Sequence, residues 1–204
     1  MAQAGTGPQV TRRLPWCTIG VATFALGAWA SPALSALLVY DRALVDAGEL
    51  WRLVGSAFVH WSRRHLALDL GVVIAAGLAV ERLIGFRLAI VILLSALVSG
   101  LTVHLAPPWL DRYAGLSGVA YTLVALAAIA GATGTAWQRL ACLTTLTGLV
   151  VKLAVEALAE RPLLLDDLSA VVTATSSHAA GLTVAFALAL PPTNFLGQLR
   201  HRPR

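Results

Sequence analysis

The stretch AGLSGVAYTLVALAAIAGATGTAW, residues 114–137, contains no charged residue and is long enough to cross a bilayer as one helix. A helix needs about 20 mostly apolar residues to span the hydrocarbon core, and five further runs of the chain approach this pattern. We therefore predict an all-α membrane protein, a bundle of six transmembrane helices. The predicted spans are 14–40, 65–80, 88–105, 114–137, 140–158 and 168–190.

The composition agrees with a polytopic membrane protein. The chain is 58% hydrophobic and 12% charged, whereas soluble domains carry about 25% charged residues. Its pI is near 10, but the basic residues lie between apolar runs and do not form a stripe with aromatics, so nucleic-acid binding is not expected. Cys17 and Cys142 both fall within apolar runs, which argues against a disulfide framework or a cysteine metal site.

The distribution of arginines predicts the orientation. We expect a cytoplasmic tail over 1–13, a membrane domain over 14–191 and a basic cytoplasmic tail over 192–204. One side of this arrangement carries eight arginines: Arg12, Arg13, Arg82, Arg87, Arg139, Arg200, Arg202 and Arg204. The other carries six: Arg42, Arg52, Arg63, Arg64, Arg112 and Arg161. The positive-inside rule then predicts a multi-pass protein of a bacterial inner membrane with both termini in the cytoplasm.

The first apolar run also has features of a signal peptide. Arg12-Arg13, an apolar stretch and Ala28-Trp29-Ala30 resemble the basic, hydrophobic and cleavage regions of such a peptide. The apolar run continues past that site to Tyr40. We therefore favour a retained helix.

Ionisable residues inside the apolar spans are candidates for a functional site because they are costly there. His65 and Asp69 are four residues apart in the second span, so they share one helix face. They fit either a hydrogen-bonded pair that packs two helices or part of an active site. His60 would add a third zinc-type ligand, but the His-Glu-x-x-His spacing is absent. We expect no metal and no organic cofactor.

Ser117 and His178 form a second candidate pair. Ser117 lies near the start of the fourth span, where free backbone N–H groups and the helix dipole favour developing negative charge. A serine hydroxyl is a poor nucleophile unless a base takes its proton. Gly181 and Ala185 form a small-xxx-small pair that permits close approach of another helix, which would bring His178 towards the serine. The alternative is that both residues serve helix packing alone.

Two further polar groups have simpler interpretations. Lys152 and Glu156 are four residues apart near the outer end of the fifth span. We interpret them as a snorkelling lysine paired with an acid. His104 lies near the outer end of the third span, and we interpret it as interfacial.

Several motifs, in chain order, resemble those of rhomboid intramembrane serine proteases. They are Glu49-Leu50-Trp51-Arg52, His60-Trp61-Ser62-Arg63-Arg64-His65 with Asp69, Glu81-Arg82-Leu83-Ile84-Gly85, Gly115-Leu116-Ser117-Gly118-Val119 with Tyr121, and His178-Ala179-Ala180-Gly181. The resemblance covers residues 49–190. It implies a rhomboid-like six-helix fold, a transmembrane protein as substrate and the lipid bilayer as surroundings.

The same resemblance implies the roles of single residues. Ser117 would be the nucleophile and His178 the general base of a Ser–His dyad. Tyr121 would pack on the catalytic histidine. The Ser117 backbone N–H and the His65 side chain would form the oxyanion hole. Independently of the resemblance, Gly115 and Gly118 leave room beside the serine for a substrate backbone.

Asp69 departs from the family pattern, which has asparagine at this position and uses it in the oxyanion hole. An asparagine amide donates a hydrogen bond, whereas an ionised aspartate only accepts. Asp69 would therefore either be protonated and still donate, or fix the tautomer of His65.

Two other functions stay open at this point. One is an inactive rhomboid-like protein that binds or escorts membrane clients, and the other is a small transporter with His65, Asp69 and His178 as a proton relay. Within the family, Lys152 and Glu156 resemble a feature of rhombosortases, which process C-terminal sorting tails, whereas Tyr121 fits ordinary rhomboids. The substrate and the oligomeric state are not predicted.

Overall fold

A computed structural model describes residues 14–106, 111–159 and 175–190. Within these ranges the regular secondary structure is helical apart from one pair of two-residue strands. The elements are α1 (Trp16–Ala30), α2 (Pro32–Leu38), β1 (Tyr40–Asp41), α3 (Arg42–Asp46), α4 (Arg52–Gly55), a 3₁₀ turn (Ser56–Phe58), α5 (Arg63–Ile84), α6 (Arg87–Leu105), β2 (Arg112–Tyr113), α7 (Ser117–Gly131), α8 (Ala136–Ala159) and α9 (Thr175–Ala189). The predicted tails, 1–13 and 192–204, and residues 168–174 of the predicted sixth span lie outside the described residues.

Some of the described helices are suited to a membrane by length and composition. α6 passes this test, as does α8 over Ala136–Leu158, and α1 with α2 would make a third span if the bent pair is counted as one. α7 is apolar but shorter. The structure therefore contains membrane-spanning candidates, while the number of six spans stays a prediction.

The first predicted span is not one straight helix. α1 ends at Ala30, and the chain bends by 110° before α2 begins. Pro32 occupies the first turn of α2, and the Ser31 hydroxyl accepts a hydrogen bond from the Leu34 backbone N–H at 3.3 Å. A Ser-Pro pair of this kind starts a new helix, which hydropathy alone does not register.

The fourth predicted span is also shorter than expected. The helix covers Ser117–Gly131 instead of 114–137. After it the chain turns, and the Gly134 backbone N–H donates to the Gly131 carbonyl at 3.0 Å. The helix ends at these two glycines. Hydropathy does not reveal this end, because the stretch carries no charged residue.

The first loop is fastened beside the start of α7. β1 and β2 pair antiparallel, with Tyr40 opposite Tyr113. The buried Arg52 guanidinium donates to the carbonyls of Ala36 and Val39, both at 2.8 Å. These carbonyls lie at the end of α2, where backbone acceptors have no helical partner. The loop is therefore held by backbone pairing and by one buried cation.

α7 is central to the bundle and contacts α5, α6, α8 and α9. Leu116, just before it, and Leu123 and Leu126 within it are fully buried. The Thr122 hydroxyl lies 2.6 Å from the Ser95 hydroxyl and donates to the Gly181 carbonyl at 2.9 Å. This polar network joins α6, α7 and α9 inside an apolar core.

α1 begins beside the end of α5. The Glu81 carboxylate accepts hydrogen bonds from the Cys17 and Thr18 backbone N–H groups at 2.8 and 2.9 Å. A carboxylate at a helix start satisfies N–H groups that have no helical partner and complements the helix dipole. α1 therefore runs antiparallel to α5, back towards the end where α5 begins.

Candidate active site

Ser117 is the first residue of α7. It is partly exposed, whereas residues 113–116 and 118–123 around it are buried. The first turn of a helix leaves backbone N–H groups without helical partners, and the helix dipole adds positive potential there. An anion that forms at this hydroxyl would be stabilised by that environment.

Gly115 shapes the backbone just before the serine. Its φ is +137°, a backbone conformation that residues other than glycine rarely adopt. A Cβ atom at this position would lie 2.7 Å from the Nε2 atom of His65. The Gly115 backbone N–H donates to the Ser56 carbonyl at 3.0 Å. Glycine therefore permits the His65 ring to approach the chain two residues before the serine.

Tyr113 supports the same turn from the side of β2. Its hydroxyl donates to the Gly115 carbonyl at 3.2 Å. Burial raises the pKa of Tyr113 to about 12, although hydrogen bonds from the Ser177 and Ser117 side chains act to lower it. The phenol is thus neutral at physiological pH and remains a hydrogen-bond donor. Its interactions place the Ser117 and Ser177 hydroxyls around one phenol.

α7 and α9 are in backbone contact next to the serine. A Cβ atom on Gly181 would collide with the Gly118 carbonyl oxygen and lie 2.9 Å from Cβ of Tyr121. A Cβ atom on Gly118 would lie 2.9 Å from the Ser177 carbonyl oxygen. The two glycines let the start of α9 reach the start of α7, as the small-residue spacing in the sequence predicted.

His178 lies in the first turn of α9 and is 2% exposed. Tyr121 stacks on it, with ring centroids 4.5 Å apart and an angle of 12° between the planes. On another side, the His178 Nδ1 atom lies 3.0 Å from the Glu156 carboxylate. The imidazole is thus oriented by a ring and by an acceptor.

His60, His65 and Asp69 form a buried cluster near Gly115. The Nε2 atoms of His60 and His65 lie 3.2 and 3.3 Å from the same Asp69 oxygen, Oδ2. One ligand atom from each residue lies within 4.8 Å of the others, so the set has the donors and spacing to hold a metal ion. The same distances fit two N–H groups that donate to one carboxylate, which would place a proton on Nε2 of both histidines.

Glu156 corrects the interpretation of the Lys152–Glu156 pair. The ion pair exists, with Lys152 Nζ 2.6 Å from Glu156 Oε1. Glu156 is only 2% exposed, however, and its other oxygen contacts His178. Spacing in the sequence identified the pair but not the face of α8 that carries it. The sequence did contain one indication of a buried role for Glu156. A carboxylate inside an apolar span costs free energy unless it has a partner.

The structure gathers the predicted site residues at one end of the bundle. All six lie in the first two turns of α5, α7 or α9, or just before the first turn. They are Ser117, His178, His65, Asp69, Gly115 and Tyr121. His104 does not join them, since it contacts Tyr40 at 3.0 Å and Asp46 at 3.5 Å. A partly exposed hydroxyl at a helix start and an oriented imidazole on the adjacent helix are the components of nucleophilic catalysis.

Two comparisons with known proteins find similar sequences. A family model described as the Rhomboid domain matches residues 47–193. Two proteins named Rhomboid protease GlpG, from two strains of Klebsiella pneumoniae, are each 31% identical over 160 residues, which is 76% of this chain. The chain spans about half the length of these curated relatives, 52% in each case.

Proposed function

Because the chain belongs to the rhomboid family, we propose that it is an intramembrane serine endopeptidase that cleaves transmembrane segments by a Ser117–His178 dyad. The observation that carries the proposal is the anchored His178 imidazole on α9, which is in backbone contact with the start of α7. If Ser117 and His178 served helix packing alone, there would be no need for an imidazole that is hydrogen-bonded on Nδ1 or for a partly exposed serine.

The chemistry follows from the protonation state of that imidazole. With a proton on Nδ1, the Nε2 atom of His178 has a free lone pair and takes the Ser117 proton as the hydroxyl oxygen attacks a peptide carbonyl. The same proton then passes to the amine that leaves, and an acyl-enzyme remains on Ser117. Water, deprotonated by His178, hydrolyses the ester and restores the serine.

Negative charge on the substrate oxygen needs donors near Ser117. The Ser117 backbone N–H is available at the helix start, and His65 approaches the chain at Gly115. Removal of one such donor typically costs about 10²–10³ in kcat. In this geometry Asp69 accepts a hydrogen bond from Nε2 of His65, so His65 donates to the substrate oxygen as well only in its imidazolium form, whose charge Asp69 balances.

A cavity beside the cluster, whose lining is mostly apolar but includes charged side chains, offers a place for water. It has a volume of about 280 Å³, and its lining includes Asp41, Arg52, His60 and Arg112. His60 connects it to Asp69. We place the hydrolytic water supply on this side of the bundle.

The substrate would be a transmembrane segment with small or helix-breaking residues near its end. A closed helix binds its carbonyls internally, so the scissile peptide has to unwind before Ser117 reaches it. By the predicted orientation, the cut lies near the outer leaflet.

The test is cleavage of a model transmembrane substrate by the full chain in reconstituted membranes. We expect Ser117→Ala to abolish cleavage, because no other hydroxyl would be activated. Ser31→Ala is the matched control, since its hydroxyl accepts from the Leu34 N–H at the start of α2 and does not line the cavity. A fluorophosphonate probe should label the wild type and the control but not Ser117→Ala. Cleavage by Ser117→Ala would refute the proposal, and an unlabelled wild type would favour the inactive client-binding alternative.

A further inference from the structure

α8 turns one unusual side chain inwards. Along this helix the described side chains are exposed or half-buried with a single exception, Glu156, which is 2% exposed. A helix that faces lipid normally buries apolar residues against its neighbours, and a buried carboxylate is costly unless it is paired. We therefore expect the buried Glu156 side chain to have a specific role.

Both carboxylate oxygens of Glu156 have partners. Oε2 lies 3.0 Å from His178 Nδ1, and Oε1 lies 2.6 Å from Lys152 Nζ. An ionised carboxylate only accepts hydrogen bonds, so Nδ1 of His178 carries the proton. The ammonium of Lys152 balances the charge of Glu156 when His178 is neutral.

Tyr121 closes this arrangement into a ring of four side chains. It stacks on His178, and Lys152 Nζ lies 5.3 Å from the centroid of the tyrosine ring, within the range of a cation–π contact. His178 is thus fixed by the carboxylate at one edge and by the tyrosine at one face. Rotation of the imidazole would break both contacts.

We propose that Glu156 is the third member of a Ser117–His178–Glu156 triad, a positioning residue that holds the tautomer and orientation of His178 and stabilises its imidazolium. The inference rests on the proposed protease function. When His178 takes the Ser117 proton, the imidazolium carries protons on both nitrogens and its charge lies 3.0 Å from Glu156 Oε2. Glu156 stays ionised throughout, and no proton is transferred to it. Lys152 holds the carboxylate in place by its second oxygen.

Steady-state kinetics in reconstituted membranes test this role. In Glu156→Gln the amide can donate to Nδ1 and favour the wrong tautomer. Loss of the equivalent carboxylate in a serine protease lowers kcat about 10⁴-fold. We expect kcat to fall by about 10²–10⁴ with KM nearly unchanged, since Glu156 does not contact the substrate. Glu156→Asp should recover part of kcat because it restores the charge.

Glu81→Gln is the matched control. Glu81 is also a buried carboxylate in a helix of the bundle, but it joins α1 to α5 at the far end. Its loss is expected to lower thermal stability without lowering kcat of the folded protein. If Glu156→Gln behaves like Glu81→Gln, Glu156 serves only to join helices and the triad is refuted.

A spectroscopic measurement does not depend on activity or on the folding of the Glu156 variants. Imidazole ¹⁵N signals of the histidine-labelled wild-type protein should show the Nδ1–H tautomer for His178, identified by its absence in His178→Ala. The Nε2–H tautomer in the wild type would overturn the inference.

If Ser117→Ala abolishes cleavage but Glu156→Gln keeps full kcat, the protease proposal stands and the triad fails. If Ser117→Ala still cleaves, the protease proposal fails, and the tautomer measurement still tests the contact.

Discussion

Asp69 bonds two histidines at once, and this arrangement bears on how charge is stabilised at the site. Its Oδ2 atom lies 3.2 Å from His60 and 3.3 Å from His65. An ionised carboxylate near an oxyanion repels it, but this carboxylate also directs the two rings. An uncharged residue at position 69 removes the repulsion. Its effect on kcat then depends on whether it still orients the two histidine rings.

We predict that Asp69→Asn retains or raises kcat. The asparagine carbonyl can still accept from the histidines, and its amide adds a donor of a kind that is worth about 10²–10³ in kcat in an oxyanion hole. Cleavage of the model substrate in reconstituted membranes is the measurement. Asp46→Asn is the matched control, because Asp46 is an exposed aspartate 3.5 Å from His104. A large loss of kcat in Asp69→Asn alone would show that the carboxylate has a role of its own.

Single residues differ in how far the sequence predicts them. Ser117 and His178 stand in motifs with a defined residue order, so their candidacy follows from the chain itself. The stacking of Tyr121 on His178 was expected from family resemblance and is present in the structure. Glu156 was interpreted as the acid paired with a snorkelling lysine, because a Lys and a Glu four residues apart near the end of a span fit that interpretation equally well. Only the rotation of α8 about its axis distinguishes the two cases.

At the scale of elements, the contact between α7 and α9 controls the distance between nucleophile and base. Gly181 faces the Gly118 carbonyl so closely that a Cβ atom cannot fit. We predict that Gly181→Ala pushes the two helices apart, lowers the thermal midpoint and removes most cleavage activity. Overpacking of this kind costs about 1–3 kcal/mol.

Gly148→Ala is the matched control for that prediction. Gly148 is also inside a helix, α8, but a Cβ atom there meets nothing within 4 Å. Alanine is favoured over glycine in a helix by about 1 kcal/mol, so this variant should be neutral or slightly stabilised. Cleavage and thermal unfolding of the two variants are measured side by side. Full activity in Gly181→Ala would show that the close approach is not needed.

Hydropathy predicted the straight helices well and the broken ones poorly. The third predicted span, 88–105, corresponds to α6 at Arg87–Leu105, and the fifth, 140–158, corresponds to α8 at Ala136–Ala159. The runs 14–40 and 114–137 were predicted as single helices, but Ser31-Pro32 and the glycines 131 and 134 end them. Apolar composition reports on burial or lipid contact, whereas helix ends depend on caps and turns.

At the scale of the whole molecule, the directions of the helices determine where the site lies relative to the tails. α5, α7 and α9 all begin at the end that carries Ser117 and His178. α1 begins beside Glu81, near the end of α5, and therefore starts at the opposite end. α9 runs away from the site towards Ala189. The described chain thus enters and leaves the bundle on the side opposite the site.

This geometry, combined with the arginine bias, predicts that Ser117 lies near the outer leaflet and both termini in the cytoplasm. In a parent with Cys17→Ser and Cys142→Ser, we expect Leu50→Cys, which lies in the first loop and is 61% exposed in the wild type, to react with a membrane-impermeant maleimide in intact cells. Thr133→Cys, in the exposed turn between α7 and α8, should react only after lysis. Retained cleavage by each variant shows that the bundle is intact. The opposite labelling pattern would place the serine at the inner leaflet, and equal labelling of both sites would contradict the bundle directions themselves.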